Sequence, residues 1–232
     1  MPDHATIYSE QAAKYDLLIS KQPVLDDIIG RIKAFDGLDV VDLGAGTGRL
    51  AAALAARAKS VVALDASRAM LDIAAGKLAS VGLANWSVGV ADHRKLPLDS
   101  QSADLIVSGW SISYSANAGV SEWERNLREI IGEMKRVLRP GGTIVILETL
   151  GTGTEVPDPP EFLRAYYAAL TDLYGFSHRW IRTDYEFEHI GQAEELAGFF
   201  FGDEMAERVL ANNWVRLPEC AGVWWLHPKC TE

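Results

Sequence analysis

Residues 40–50 read VVDLGAGTGRL, and this stretch decides the fold. It opens with an apolar run typical of a strand buried on both faces of a sheet. It continues into an alanine- and leucine-rich pattern that predicts a helix over residues 47–57. Gly44, Gly46 and Gly48 stand between them and allow a tight turn that comes close to a ligand. The first turn of the helix would direct unpaired N–H groups towards that ligand.

The spacing of the glycines limits what this turn can bind. A dinucleotide-binding turn has the order G-x-G-x-x-G, and here Arg49 takes the place of the third glycine. A triphosphate-binding loop would need a Lys followed by Ser or Thr, which the stretch lacks. A second apolar run, residues 61–64, ends in Asp65, whose carboxylate can accept hydrogen bonds from both hydroxyls of a ribose. The pattern therefore predicts a nucleoside ligand.

Apolar runs alternate with helical patterns between residues 37 and 148, which is typical of βαβ units around a parallel sheet. Strands are predicted at residues 40–43, 61–64, 86–90, 104–107 and 143–147, and helices at 47–57, 68–80 and 121–138. Ser121 and Glu124 form a capping box at the start of the last helix. Residues 1–36 predict one or two helices before the sheet.

The alternation ends after Glu148. Residues 151–160 are rich in Gly, Thr and Pro, and a helix with Asp158 as its N-cap is predicted from there to about Tyr174. Two more helices, at 192–200 and 203–211, precede strands at 214–217 and 222–227. The prediction is one domain with an N-terminal helical cap (1–36), a cofactor-binding core (37–150), a helical lid insertion (151–212) and the last strands (213–232).

Four motifs, DLGAGTGRL, VVALDAS, VGVADHRKLP and RVLRPGGTIVI, occur in this order and resemble those of the class I S-adenosylmethionine-dependent methyltransferases. The chain is most similar to the type-11 group, which includes quinone-biosynthesis methyltransferases. This resemblance, over about residues 15–148, implies an α/β, Rossmann-like, doubly wound, mostly parallel seven-stranded sheet with an antiparallel edge strand. It also implies that the runs at 214 and 222 form that edge, that S-adenosyl-L-methionine is the cofactor and that S-adenosyl-L-homocysteine is the product.

The resemblance assigns roles to single residues. The glycine turn would hold the methionine end, with its N–H groups available to the carboxylate, and Asp65 would bind the ribose. Asp92 would accept from the adenine amino group, beside the His93 N–H, and Trp110 would lie near the sulfonium, whose charge attracts an aromatic face. The predicted cofactor-binding residues are Tyr15, Asp42, Gly44, Ala45, Gly46, Gly48, Asp65, Ala66, Met70, Asp92, His93, Ser108 and Trp110. Met70 as helix core and Trp110 as lid core remain alternatives.

The reaction expected is an in-line displacement at the methyl carbon, in which catalysis rests mainly on positioning. A hydroxyl or acidic-carbon acceptor would also need a base, and His178 and His189 are the candidates because histidine titrates near neutrality. A lone histidine is more often structural. Tyr114, like Tyr15 and Tyr166, is a candidate for orienting the acceptor. The segment 108–114 lacks the Asn/Asp-Pro-Pro-aromatic motif of enzymes that methylate nucleobase amines.

Composition narrows the partners. The chain has 32 acidic and 22 basic residues, a net charge of −10, and no Lys/Arg run, which argues against a nucleic acid substrate. Cys220 and Cys230 have no metal-site spacing and are predicted to be reduced packing residues, and no metal is expected. No apolar run approaches the ~18 residues of a membrane helix and the start lacks a leader pattern, so a cytoplasmic location without membrane contact is predicted.

The sequence thus favours a methyltransferase for a small-molecule acceptor, as a monomer or homodimer. A NAD(P)-dependent oxidoreductase and a non-catalytic nucleoside-binding protein of the same fold are the alternatives. The glycine spacing argues against the first. The complete set of glycines and strand-ending acids argues against the second.

Overall fold

The computed structural model describes residues 2–228 and contains one seven-stranded sheet in that range. Its strands are β1 (Asp39–Leu43), β2 (Ser60–Asp65), β3 (Trp86–Val90), β4 (Ala103–Gly109), β5 (Leu138–Thr152), β6 (Ser177–Arg182) and β9 (Glu219–Leu226). Two short strands, β7 (Tyr185–Glu186) and β8 (Arg216–Leu217), pair separately. Cys220 is buried and free, whereas Cys230 lies outside the described residues.

Helices flank the sheet and form the N-terminal cap. Their bounds are α1 (His4–Glu10), α2 (Ala12–Ile19), α3 (Asp26–Ile32), α4 (Arg49–Ala55), α5 (Arg68–Ser80), α6 (Trp123–Val137), α7 (Glu161–Ala168), α8 (Ile190–Phe201) and α9 (Asp203–Ala211). A 3₁₀ turn covers Ile112–Tyr114, and α7 continues as a π-helical turn over Ala169–Leu173. None of the helices within residues 2–228 combines the length and apolarity needed to cross a bilayer.

The strand order is β3-β2-β1-β4-β5-β9-β6. The first five strands are parallel, and β9 is antiparallel to both of its neighbours. The order reverses between β1 and β4, and in doubly wound sheets ligands bind above the strand ends at such a point. The predicted Rossmann-like fold class is confirmed, and the loops after β1, β2 and β4 are the place to look for a site.

The far edge of the sheet differs in detail from the prediction. The antiparallel strand β9 lies one place in from the edge, and the edge itself is β6, which the sequence placed in a helical insertion. The sequence of β6, SHRWIR, gives a weak strand signal because an edge strand keeps polar, exposed side chains. The run at 214–217 does not join this sheet: Leu217 pairs with Tyr185 in the small one. Segment 151–212 is therefore not wholly helical.

Two apolar layers enclose the sheet. One face packs against α3, α4 and the end of α5, through residues such as Ile29, Leu54 and Leu78. The other packs against α6 and α7, with Trp224 of β9 buried among them. A third cluster, including Leu18, Leu196 and Val209, joins α2 to α8 and α9. The N-terminal cap and the lid helices therefore pack on each other beside the sheet.

Two helix starts and the number of helices in the N-terminal cap differ from the prediction. Helix α6 begins after Glu122, which has φ 56° and makes no side-chain cap bond, so the capping box of Ser121 does not form. Helix α7 begins after Pro160 instead of Asp158. The cap contains three helices, not one or two. Side-chain caps are weak local signals that neighbouring loop geometry overrides.

Candidate functional site

The turn between β1 and α4 is built on glycines in the left-handed region. Gly44, Gly46 and Gly48 have φ angles of 75°, 54° and 81°. A Cβ atom on Gly44 would lie 1.8 Å from Oγ of Ser111, in the loop after β4, and one on Gly48 would lie 2.9 Å from Cβ of Ala74 in α5. Only glycine fits at these two positions. The predicted tight turn with a close approach is present.

The N–H groups of the turn are already engaged within the protein. Gly44 and Ala45 donate to a backbone carbonyl of β2 at 2.7 and 2.9 Å, and Gly46 donates to Oδ2 of Asp65 at 2.8 Å. Gly48 donates back to the Ala45 carbonyl at 2.8 Å. This differs from the expectation that the glycine N–H groups are available to a cofactor carboxylate. They hold the turn against β2 instead, so these glycine N–H groups are not free for a carboxylate.

Asp65 ends β2 with its carboxylate fixed at the site. Oδ2 accepts from Gly46 N–H, and Oδ1 accepts from Ser67 N–H at 2.8 Å. Each oxygen keeps a second lone pair, so the carboxylate can still accept from a diol. Ala66 follows on the exposed side. Met70, which is buried in α5, places its Cε 3.6 Å from a Cβ built on Gly46, so it packs under the turn.

Three buried oxygens around the turn and the adjacent strand β4 lack protein partners. They are Asp42 Oδ1, Thr47 Oγ1 and Ser108 Oγ, none of which has a hydrogen-bond partner among residues 2–228. The other Asp42 oxygen accepts from the Ala51 N–H at 2.8 Å, and burial raises the pKa of this carboxyl to about 7. Buried polar atoms are normally satisfied. These three orphans therefore fit a site that a polar ligand completes.

Asp92 and His93 follow β3 but point to protein partners. The Asp92 carboxylate accepts from the Arg94 backbone N–H at 2.8 Å and from its guanidinium, and Arg94 holds the pKa of Asp92 at about 2. His93 Nε2 lies 3.3 Å from Ser111 Oγ, directly above Gly44. Burial lowers the pKa of His93, which keeps the ring neutral at pH 7. An adenine contact by Asp92 would compete with Arg94.

Trp110 follows β4, and Arg49 covers one face of its ring. The sequence singled out Arg49 only because it takes the place of the third glycine. The Trp110 backbone is held by an N–H bond to the Leu147 carbonyl at 2.7 Å and has φ 51°. The guanidinium carbon of Arg49 lies 4.5 Å from the Trp110 ring centroid. The predicted sulfonium contact is thus limited to the other face or the edge of the ring.

Aromatic side chains from three parts of the chain meet over the site and form what we call the aromatic roof: His4, Tyr8, Tyr15, Tyr114 and Phe200. The Tyr8 and Tyr114 hydroxyls are 2.5 Å apart, and His4 Nδ1 lies 3.3 Å from the latter. Tyr15 meets Tyr8 edge-on, with ring centroids 5.2 Å apart. Ser67 Oγ donates to the Tyr8 carbonyl at 3.2 Å, which ties the roof to the loop after β2. The structure thus brings the predicted residues Tyr15 and Tyr114 together.

The two histidines predicted as bases occupy structural positions. His178 stacks on Trp224 in the sheet, with ring centroids 4.4 Å apart. His189 caps α8, because its Nδ1 accepts the Gln192 N–H at 3.1 Å, and its side chain is exposed. Neither contacts the glycine turn, Asp65 or the roof through the bonds and ring contacts of the described residues. Their role as bases has no geometric support.

Sequence reasoning missed Glu148 as a buried acid beside the site. Oε1 accepts from the Ser113 N–H at 3.0 Å and from the Tyr166 hydroxyl at 3.3 Å, and Oε2 accepts from Ser113 Oγ at 2.9 Å. Burial raises the pKa of Glu148 to about 7. The signal was present, because Glu148 ends the apolar run TIVILE in the same way that Asp42 and Asp65 end theirs.

The raised pKa of Glu148 predicts a pH effect on stability. The folded protein holds a proton that the unfolded chain releases near pH 4.5, so this group's contribution is complete below that pH and is lost as the pH rises through about 7. Between pH 5 and 8, wild type should lose about 2 to 3 kcal/mol of unfolding free energy relative to Glu148→Gln. Urea titrations across this range measure it. The partly exposed Glu129→Gln is the control, and parallel curves for wild type and Glu148→Gln would contradict the prediction.

Comparisons with known proteins agree with this geometry. A methyltransferase domain model matches residues 40–142. The chain is 30% identical to a malonyl-[acyl-carrier protein] O-methyltransferase from Marinomonas sp., over 83% of this chain and 69% of that protein. It is 32% identical to a bifunctional biotin biosynthesis protein from Cellvibrio japonicus, of which it spans only 34%. A solved S-adenosylmethionine-dependent methyltransferase from Aquifex aeolicus shares the fold, with a TM-score of 0.56, 18% identity and coverage of 97% and 94%.

The chain belongs to the class I S-adenosylmethionine-dependent methyltransferases, in the type-11 group. S-adenosylmethionine is accordingly its cofactor. The orphaned oxygens of Asp42, Thr47 and Ser108 and the open lone pairs of Asp65 are consistent with such a ligand.

Proposed function

We propose that the chain transfers the methyl group of S-adenosylmethionine to a small-molecule acceptor bound under the aromatic roof. The observation that carries this proposal is the position of the roof. Tyr8 is tied through its carbonyl to Ser67, two residues past the cofactor-binding Asp65, while its hydroxyl reaches Tyr114 after β4. These rings lie beside the loops after β2 and β4, at the switch point of the sheet, and their aromatic and hydroxyl groups suit a small, partly apolar molecule.

The cofactor supplies a methyl group on a sulfonium, so that a neutral thioether leaves when an acceptor atom attacks. The protein's part is to fix both reactants and to exclude water, and positioning of this kind is worth up to roughly 7 to 11 kcal/mol. Asp65 would fix the ribose, and the glycine turn would set how closely the methionine end approaches β4. The roof would cover the acceptor, with the Tyr8–Tyr114 hydroxyl pair placed to orient it.

The roof and the lid helices would also choose the acceptor. Phe200 comes from α8, and it contacts both His4 and Tyr15 from the N-terminal cap. Apart from Tyr114, the acceptor side would therefore be built from segments outside the core that residues 40–142 form. Segments outside the core can vary between proteins without disturbing the cofactor site. The same core can therefore serve many different acceptors.

Cofactor binding and methyl transfer test the proposal in two steps. S-adenosylhomocysteine at a hundred times its Kd should raise the melting temperature by roughly 5 to 10 °C, and NAD at the same concentration should not. Labelled S-adenosylmethionine should then transfer its methyl group to compounds in a low-molecular-weight extract. Label found only in protein or nucleic acid fractions would contradict a small-molecule acceptor. A shift with NAD alone would contradict the cofactor assignment.

A further inference from the structure

Arg49 places a cation beside the methyl-transfer region. It is the first residue of α4, directly after the glycine turn, and its guanidinium lies 4.5 Å above the Trp110 ring. Nη1 donates to Gln22 Oε1 at 2.6 Å, and Nη2 donates to the Pro23 carbonyl at 3.2 Å. The side chain therefore bridges the turn, the loop after β4 and the linker between α2 and α3.

This cation has no carboxylate partner. Within residues 2–228 its hydrogen-bond acceptors are the two neutral amide oxygens, and no acid lies within salt-bridge distance. Burial lowers the pKa of Arg49, and the nearby Tyr185, Tyr15 and Glu219 offset this only in part. Arg49 is partly buried, and a charge withdrawn from water with only neutral partners is costly. The arrangement is typical of a charge kept for a ligand.

Glu219 acts electrostatically on Arg49 but is poorly suited to neutralise its charge. Glu219 is buried, its Oε1 accepts from Thr149 Oγ1 at 2.8 Å, and its Oε2 has no partner among the described residues. Burial raises the pKa of Glu219 to about 7, so a large fraction of it is uncharged at neutral pH. The space beside Trp110 thus holds a permanent cation and only a partial counter-charge.

Arg57, which lies just after α4, is an arginine with a carboxylate partner. Its guanidinium carbon also lies over an aromatic ring, 4.4 Å from the Phe35 centroid. Unlike Arg49, it donates to both oxygens of Asp36, at 2.9 and 2.7 Å. The two arginines stack on aromatic rings at similar distances, but Arg57 is exposed and has a carboxylate partner, whereas Arg49 is partly buried and has none. Arg57 is the matched control for Arg49.

We propose that Arg49 binds a carboxylate in the methyl-transfer site, exchanging the amide oxygens of Gln22 and Pro23 for it. A planar guanidinium that keeps its aromatic stack presents two parallel N–H donors to a carboxylate. Because the N–H groups of Gly44, Gly46 and Gly48 are used internally, the guanidinium offers donors that these glycines do not. The carboxylate comes either from the methionine end of the cofactor or from the acceptor. This inference rests on the proposed function.

Variants at Arg49 distinguish the two sources. If the carboxylate belongs to the cofactor, Arg49→Gln should weaken S-adenosylhomocysteine at least tenfold in calorimetry. The same variant should leave the affinity for 5′-methylthioadenosine, which lacks the amino acid end, within twofold of wild type. If the carboxylate belongs to the acceptor, the affinities for S-adenosylhomocysteine and 5′-methylthioadenosine should both stay within twofold of wild type. Thermal protection by malonate, added with saturating S-adenosylhomocysteine, should then disappear. Arg49→Lys, which keeps the charge without the two-pronged geometry, should retain part of either effect.

Arg57→Gln should lose stability and leave every ligand affinity within twofold of wild type. The inference is overturned if folded Arg49→Gln gives two results together. Its affinity for S-adenosylhomocysteine equals that of Arg57→Gln, and malonate raises the melting temperature of wild type no more than that of Arg49→Gln. Arg49→Lys is compared in the same way if the Gln variant does not fold. Wild type that fails to bind S-adenosylhomocysteine at all contradicts the proposed function instead, so the two failures are distinct.

Discussion

Replacing Asp65 with alanine is expected to weaken S-adenosylhomocysteine binding at least tenfold while the protein stays folded. The variant would lose the two charge-assisted hydrogen bonds that we propose Asp65 accepts from the ribose, each worth about 1.5 to 3 kcal/mol. It also releases the N–H groups of Gly46 and Ser67, which the carboxylate holds at 2.8 Å. The turn then loses one of its bonds to β2. Both effects act in the same direction on the affinity.

Calorimetry with purified protein measures this change, and Ser67→Ala is the control. Ser67 is the N-cap of α5, and its Oγ also donates to the Tyr8 carbonyl. Its loss should cost about 1 kcal/mol of stability without removing an acceptor from the ribose site. An affinity of Asp65→Ala within threefold of wild type would rule out the ribose assignment. A matching loss in Ser67→Ala would attribute the effect to loop order.

Gly44→Ala should be strongly destabilising. The new Cβ would lie 1.8 Å from Ser111 Oγ and 2.3 Å from Ser111 Cβ, at a backbone φ of 75°. Ser111 must move, and His93 and the loop after β4 move with it. Overpacking and left-handed strain together should cost roughly 2 to 4 kcal/mol of unfolding free energy. Cofactor affinity should fall by at least tenfold because the turn and Trp110 no longer face each other.

A second glycine separates backbone strain from the steric clash. Gly82 has φ 70° and no heavy atom within 4 Å of a Cβ built on it. Gly82→Ala should therefore cost only the backbone part, ~1 kcal/mol, and leave binding unchanged. Ser111→Gly should restore much of the loss in a double variant with Gly44→Ala. Equal costs for Gly44→Ala and Gly82→Ala in chemical denaturation would show that the contact with Ser111 is unimportant.

The parallel half of the fold was predictable because its central strands, such as β1 and β4, are largely buried and leave apolar runs in the sequence. Strand β3 has the predicted bounds, Trp86–Val90, and helix α5 the predicted Arg68–Ser80. Edge strand β6 was missed because His178, Arg179 and Arg182 give it a polar sequence. Its place in the sheet is set by pairing with β9, a contact that no local pattern encodes.

The site residues also divide into those that the sequence predicts and those that only the structure reveals. The glycines and Asp65 were identified because backbone geometry and ribose chemistry restrict those positions to particular residue types. Glu148 and Arg49 acquire their properties from burial and from distant partners, Tyr166 and Gln22. His178 and His189 were chosen for residue type alone, and tertiary contacts gave them stacking and capping roles. Residue type predicts chemistry only where the backbone also fixes the position.

The aromatic roof has a kinetic consequence. Tyr8 and Tyr15 belong to α1 and α2, and each also packs on Phe200 of α8. If the acceptor and cofactor bind under the roof as proposed, we expect the spent cofactor to leave past these rings when the N-terminal helices move. Opening motions of this kind take microseconds to milliseconds and often limit turnover. Loosening the roof would then speed product exchange while exposing the reacting atoms to water.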